Sequence, residues 1–222
     1  MRKFVPAYEG NLRKHALSVP RCISECSGIR VFGRRIKSLV FSTDVAIIKN
    51  INADAIIAVY PFTPQPAITQ AIIGVSEVPV FCGVGGGLTN GVRSASMAAY
   101  VEHQGAYGVV CNSKIGVETI HAIKDAVEIP VVYTVNSENT DIQPYLTAGV
   151  DIINVSGAAR TPEIVGTLRQ RYPELPIIAT GGPTEESILA TIRAGANAIT
   201  YTPPSSASLF ARTMADNRSE LE

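Results

Sequence analysis

A chain of 222 residues, 46% hydrophobic and 17% charged, can bury a sizeable core and is too apolar to be disordered. No apolar run reaches the ~18–20 residues of a membrane span, and the basic, interrupted N-terminus lacks a signal peptide's apolar core, so a cytoplasmic protein with no membrane partner is expected. The 19 basic and 19 acidic residues balance only as a sum: residues 1–37 carry nine basic and two acidic side chains, a net +7, which leaves −7 on the rest.

The basic leader contains Arg2, Lys3, Arg13, Lys14, Arg21, Arg30, Arg34, Arg35 and Lys37, against Glu9 and Glu25. Its last part, Arg30–Phe41 with Gly33 at the centre, reads as a hairpin that runs into the first strand and closes the bottom of the fold. Cys22 and Cys26 have no second Cys or His pair nearby, so no metal site is expected. Four cysteines in a chain of this length do not make a disulfide scaffold.

From residue 38 onward, apolar runs alternate with segments of helical length. The runs are Ser38–Ser42, Ala55–Tyr60, Pro79–Gly83, Gly108–Asn112, Pro130–Thr134, Asp151–Ser156, Pro176–Thr180 and Asn197–Thr202. Their starts lie 17, 24, 29, 22, 21, 25 and 21 residues apart, about the length of a strand, a loop and a three-turn helix. Near-continuous apolar runs indicate strands buried on both faces, hence a parallel sheet covered by helices. Three odd-numbered runs open on Pro79, Pro130 and Pro176, whereas the even ones follow small residues such as Gly105, Gly149 and Gly195. This two-beat repeat through eight units predicts an α/β fold, a (β/α)8 barrel over 38–222 with residues 1–37 as an N-terminal extension. Thr161-Pro162-Glu163 and Thr184-Glu185-Glu186 read as capped helix starts. The closing Leu221-Glu222 reads as a tag scar.

Active sites of this architecture lie at the C-terminal strand ends. There the sequence places Ser42, Thr43 and Asp44; Tyr60 and Thr63; Cys82 and the Gly83–Asn90 loop; Asn112 and Lys114; Tyr133, Asn136 and Glu138; Asn154, Ser156 and Arg160; Thr180, Gly181 and Gly182; Tyr201 and Thr202. Hydroxyls and amides dominate. His15, His103 and His121 fall elsewhere, and only Asp44 and Glu138 offer carboxylates, which argues against a metal-dependent hydrolase and against a glycosidase. Lys114 is the one strand-end cation, suited to a Schiff base or to neutralising an enolate or phosphate, although a solvated lysine has the same signature. Gly85, Gly86 and Gly87, with Arg93 beyond them, form a glycine-rich segment that either cradles an anion or acts as a lid. Val92-Arg93 stands where a P-loop has Lys and Ser/Thr.

Leu175–Thr202, LPIIATGGPTEESILATIRAGANAITYT, resembles the last quarter of the phosphate-binding (β/α)8 barrels, among them thiamine-phosphate synthases, sugar-phosphate epimerases, ketodeoxy-phosphogluconate aldolases and IMP dehydrogenase relatives. The resemblance implies a phosphate held at Gly181 and Gly182 and by N–H groups after the eighth strand. The chain departs from the pattern there: Pro203-Pro204 removes two donors and leaves the task to Thr202, Ser205 and Ser206. The lysine that the aldolases carry on strand six is also missing, because this strand ends Asn154-Val155-Ser156. The stretch GVVCNSKIG at Gly108–Gly116, followed by IPVVYTV, is similar to the middle of the glycerol uptake operon antiterminators.

The leading expectation is an enzyme, an aldolase-type lyase or an isomerase, acting on a small phosphorylated carbonyl metabolite without a cofactor. Lys114 would be the electrophile, Asp44 or Glu138 would move the proton, and Asn112, Asn154 and Ser156 would contact substrate. One alternative is a ligand-sensing regulator whose basic leader contacts nucleic acid, a weaker use of a leader with no aromatic stacking set. A second is a flavin barrel. A homo-oligomer is expected in each case.

Overall fold

The computed structural model describes residues 4–8, 10 and 17–219. After a 3-10 turn at Arg21–Glu25 come β1 (Ile29–Val31), β2 (Arg34–Ile36), β3 (Ser38–Phe41), α1 (Val45–Asn50), β4 (Ala55–Ala58), α2 (Pro66–Val75), β5 (Val80–Gly85) and α3 (Val92–His103). Then follow β6 (Gly108–Cys111), α4 (Val117–Lys124), β7 (Val131–Val135), α5 (Gln143–Thr147), β8 (Ile152–Val155), α6 (Thr161–Arg171), β9 (Ile177–Thr180), α7 (Glu185–Arg193), β10 (Ala198–Tyr201) and α8 (Ser206–Ser219). Strands β3 to β10 pair in parallel in chain order, and β10 closes on β3 with Ile199 opposite Ser38 and Tyr201 opposite Val40. The chain is a (β/α)8 barrel, as the spacing of its apolar runs predicts.

Alternation along each strand sorts the side chains. Leu39, Ala55, Phe81, Val132, Ile152, Ile178 and Ala198 point to the axis, while Val40, Ile56, Val80, Val131, Ile153, Ile177 and Ile199 pack under the helices. A Cβ on Gly108 would stand 2.6 Å from Phe81 Cδ1, so glycine there lets the Phe81 ring fill the axis. The four cysteines are buried and free, and burial pushes the Cys82 and Cys111 thiols up to about 12.

At the bottom, β1 and β2 pair antiparallel through Phe32 and Gly33, both at positive φ (45° and 80°), as a two-residue hairpin turn requires. Val31 and Ile36 join the axial core, and Phe32 packs edge-on to Tyr107 at 5.5 Å. The polar residue before an even strand has a task that small-residue spacing does not reveal. Asp54, Asp151 and Asn197 accept the amides that open the neighbouring odd strands, from Ser38, Val131 and Ile177 at 3.0, 2.9 and 2.9 Å. The basic side chains here serve the local backbone too: Arg35 donates to Ser27 O at 2.7 Å, Lys37 donates to Ser24 O, and Arg34 lies over the Tyr107 ring. Arg2, Lys3, Glu9, Arg13, Lys14 and His15 lie outside the described residues, as do Leu221 and Glu222.

One helix start differs from expectation. Thr161 is the first residue of α6 rather than its cap, because a 3-10 turn at Ala158–Arg160 precedes it and its hydroxyl accepts from Gly157 N at 3.0 Å. Thr184 caps α7 in a reciprocal box with Ser187. Among the described residues no helix is long and apolar enough to cross a membrane.

Candidate active site at the barrel mouth

A cavity of about 660 Å³ opens at the C-terminal strand ends, and every barrel strand contributes to its wall. Its two halves differ in chemistry. Strands β7 to β10 present Thr134, Asn154, Thr180 and Thr200, with Ser156 and Thr202 one step further out. Strands β3 to β6 present Phe41, Ile57, Gly83 and Val110, and the loops above add Val59, Tyr60, Phe62 and Leu88. The strand order makes each set a continuous arc, one polar and one apolar.

Within the polar arc Thr134 stands opposite Asn154 and Thr180 opposite Thr200. Asn154 Nδ2 donates to Thr134 Oγ1 at 3.3 Å. Asn154 Oδ1 and Thr200 Oγ1 are buried without a partner among the described residues. Leaving a buried polar atom unpaired costs about 1–3 kcal/mol, so such atoms on a cavity wall mark where a ligand's polar groups belong. In the apolar arc Phe41, Phe62 and Leu88 are 41%, 69% and 85% exposed. The Tyr60 hydroxyl is turned away to accept from Gln65 N at 2.7 Å, which leaves its ring on the wall.

Lys114 sits where the arcs meet, on the loop after β6, and is the only charged side chain on the cavity wall among the described residues. Its loop is braced from below. Ile115 N closes a turn onto Asn112 O at 3.1 Å, Tyr133 donates to Ser113 O at 3.3 Å, and Tyr145 donates to Ile115 O at 3.1 Å. The two tyrosines stack with centroids 4.0 Å apart, and burial raises the Tyr133 phenol, which keeps it a neutral donor. The same parity that turns Thr134 inward turns Tyr133 toward the helices, and it does the same to Cys82 and Tyr201.

Of the residues singled out from the sequence, Lys114, Asn112, Asn154, Ser156, Thr202, Gly85, Gly86 and Gly87 line the cavity together. Tyr60, Gly83 and Thr180 line it too, whereas the others given a catalytic or binding role are placed elsewhere. Asp44 Oδ1 caps α1, accepting from Ala46 N and Ile47 N at 3.0 and 3.3 Å, and its Oδ2 accepts from Ser206 N at 3.1 Å. The Ser206 hydroxyl and these amides hold the Asp44 carboxyl below its ordinary range. Glu138 pairs with Arg160, and its carboxyl is lowered by a backbone hydrogen bond and by that guanidinium. Neither carboxylate lines the cavity, so neither stands where it could move a substrate proton.

At the inferred phosphate seat the glycines have a packing role. A Cβ on Gly181 would stand 2.7 Å from Ile188 and 2.8 Å from Ile199, and Gly182, at φ 79°, lies against the Ser187 hydroxyl. The pair is thus required by packing between β9, β10 and α7. Ser206 N is already taken by Asp44, and neither Ser205 nor Ser206 lines the cavity. In the glycine-rich segment Gly86 N donates to Thr89 O at 2.9 Å and Gly91 N to Thr119 Oγ1 at 3.0 Å, so both amides serve the loop itself. Gly86 is needed because the Asn112 backbone would lie 2.7–2.8 Å from any Cβ there. Arg93, exposed on the first turn of α3, does not line the cavity.

No protein-family model matches the chain, and no curated protein matches it. Solved structures do match. A protein from Burkholderia cenocepacia J2315 assigned as a phosphonomutase is similar at 17% identity, TM-score 0.64, over 90% of this chain and 96% of that one. A 2,3-dimethylmalate lyase of the PEP mutase/isocitrate lyase superfamily is similar at 14% identity, TM-score 0.65, over 90% and 85%. A phosphonopyruvate hydrolase in complex with oxalate and Mg²⁺ is similar at 16% identity, TM-score 0.63, over 82% and 80%. At these identities the likeness is one of fold. The similarity to glycerol uptake operon antiterminators finds no support in these comparisons.

The Mg²⁺ of the hydrolase complex raises the question of a divalent cation here. Such an ion takes oxygen ligands anchored by carboxylates. Among the described residues no carboxylate lines this mouth, and no group of three or more His, Cys, Asp or Glu converges. The residues present do not fit the ion.

Proposed function

We propose that the mouth is the active site of a lyase or isomerase acting on a small carbonyl-bearing acid, with Lys114 as its reactive group. The observation that carries this reading is the lone cation at the seam of the cavity among the described residues, carried by a braced loop on the same wall as two unpartnered polar atoms. The lysine amine adds to the substrate carbonyl carbon and water leaves, giving a C=N bond that accepts electrons from the neighbouring carbon. Thr134, Asn154, Thr180 and Thr200 orient the acid and its carbonyl side. With Asp44 and Glu138 engaged elsewhere, Lys114 activates the substrate as the C=N nitrogen, and the proton released from the neighbouring carbon passes to water in the open mouth. The neighbours' names, which speak of small carboxylate and phosphonate compounds, support an acid of this size. Because packing accounts for Gly181 and Gly182, and Asp44 takes Ser206 N, a phosphate ester is not required by the reading.

Borohydride treatment in the presence of 2-oxo acids tests it. Reduction of the C=N bond should leave one secondary amine per chain, found at Lys114 by peptide mass mapping and absent from Lys114→Met. Turnover of such an acid with Lys114 unmodified would remove the Schiff base. That the described residues place only uncharged polar groups beside Lys114 on the wall also favours a second reading, a ligand-sensing protein without chemistry. That reading predicts saturable binding of the same acids with neither trapping nor turnover. A flavin absorbance in the purified protein would replace both.

A further inference from the structure

We infer that the substrate is two-sided: an oxo acid whose head lies on the β7–β10 arc and whose body is an apolar group of three or more carbons, branched or aromatic, lying on the β3–β5 wall. The head rests on the function proposed above, whereas the body rests on observations of its own.

The first is where the exposed apolar surface lies. Of the large apolar side chains exposed among the described residues, Phe41, Phe62 and Leu88 come from three separate loops or strand ends and border this one cavity, Phe62 and Leu88 being largely exposed and Phe41 partly so. Solvent-exposed apolar residues clustered in a concave site mark ligand contact, whereas isolated ones are ordinary. The second is size. A cavity of about 660 Å³ lies in the range that encloses ligands of drug size. A three-carbon acid on the polar arc would leave the opposite wall in water. The third is division of the wall by strand. Every inward residue at the upper end of β7 to β10 carries a hydroxyl or amide, whereas Phe41, Ile57, Gly83 and Val110 on β3 to β6 carry none, and polar side chains enter that side only beyond the strands, at Thr89 and at Asn112 beside the seam. Tyr60 obeys the same division, because its hydroxyl is bonded away from the cavity. With Lys114 at the seam, a substrate carbonyl beside it places the acid on one arc and the body on the other.

The test is a chain-length series on the intact protein. Affinity for pyruvate, 2-oxobutanoate and 4-methyl-2-oxopentanoate is measured by calorimetric titration, alongside borohydride trapping of each at Lys114. A buried methylene tightens binding by about fourfold, so the three carbons separating the first and last acids should give a ratio of roughly sixtyfold. Phe62→Ser and Leu88→Ser, both on exposed loop positions, should each cut that ratio severalfold. 4-Methylpentanoate, which lacks the carbonyl, separates the two readings. If butanoate and 4-methylpentanoate show the same gain with length while no oxo acid traps, the lysine chemistry fails and the apolar wall stands. If the oxo acids trap with equal affinity along the series, or the serine variants leave the ratio unchanged, the two-sided substrate is overturned. Loss of an oligomer in Phe62→Ser with no chain-length dependence would also overturn it and assign the wall to a second copy of the chain.

Discussion

Replacing Asp44 by alanine removes the acceptor of amides at both ends of the barrel sequence: Ala46 and Ile47 in α1, and Ser206 at the start of α8. Loss of a helix cap costs ~1 kcal/mol within a range of 0.5–2, and loss of a hydrogen bond to a charged acceptor costs ~1.5 kcal/mol, reduced by partial exposure. The sum is about 2–3 kcal/mol, and for a chain of this size each kcal/mol moves the Tm by roughly 2–4 °C, so a drop of about 5–10 °C is expected. Asp44→Asn can still cap α1 through its amide oxygen but cannot accept from Ser206 with its NH₂, so about half that drop should follow. The effect depends on pH in a fixed direction. Asp44 has a folded pKa below its unfolded value, so its stabilisation is complete above the unfolded pKa of about 3.9 and is lost as pH falls through the lower folded value. Thermal denaturation followed by circular dichroism should therefore show the full wild-type advantage at pH 7 and a shrinking one in acid, while borohydride trapping at Lys114 survives in the folded variant. A wild-type Tm for Asp44→Ala at pH 7, or abolished trapping with the fold intact, would return Asp44 to the chemistry and refute the reasoning.

Three further substitutions separate packing from function. Thr200→Val removes a buried hydroxyl that has no partner, so the ligand-free protein should gain about 1 kcal/mol in denaturant unfolding while affinity for 2-oxo acids falls; loss on both counts would mean that the hydroxyl is satisfied. Gly181→Ala forces a methyl against Ile188 and Ile199 and should cost about 1–3 kcal/mol, with equal Tm loss in the presence and absence of inorganic phosphate; a phosphate-dependent difference would restore the anion seat. Glu138→Gln breaks an exposed pair and should leave the trapping rate within about twofold, since such pairs contribute little. Collapse of the rate would restore Glu138 to the reaction.

The barrel was legible because each strand is a short apolar run at a regular spacing, and Pro79, Pro130 and Pro176 mark the odd strands. Depth in the mouth was legible too, which is why Lys114, Asn112 and Asn154 come together. What strand-end position does not give is the direction of a side chain. Asp44 stands at a strand end and also just before Val45-Ala46-Ile47, and an aspartate ahead of an apolar helical segment is an N-cap signal that outweighs the catalytic one. Parity was the other available signal: Leu39 facing the axis sends Phe41 into the mouth, and Ile57 does the same for Val59, so the apolar arc follows from alternation. The double-glycine after β9 shows the converse case, a second physical reason for the same residues. Glycine there matches an anion-binding pattern, but the approach of Ile188 and Ile199, brought in by α7 and β10, is a tertiary fact that a linear pattern cannot contain.

Lys114 stands between a polar and an apolar wall, and the proposed substrate, bonded to it, spans both. A crystal structure of the borohydride-reduced adduct with 4-methyl-2-oxopentanoate tests this most directly. The expected adduct has a C–N bond at Lys114 Nζ, its carboxylate within hydrogen-bonding distance of the Thr134–Asn154–Thr180–Thr200 arc, and its isobutyl group on Phe41, Phe62 and Leu88. An adduct on another lysine, or one at Lys114 with its carboxylate turned to Phe62 and its isobutyl group on the hydroxyls, would contradict it.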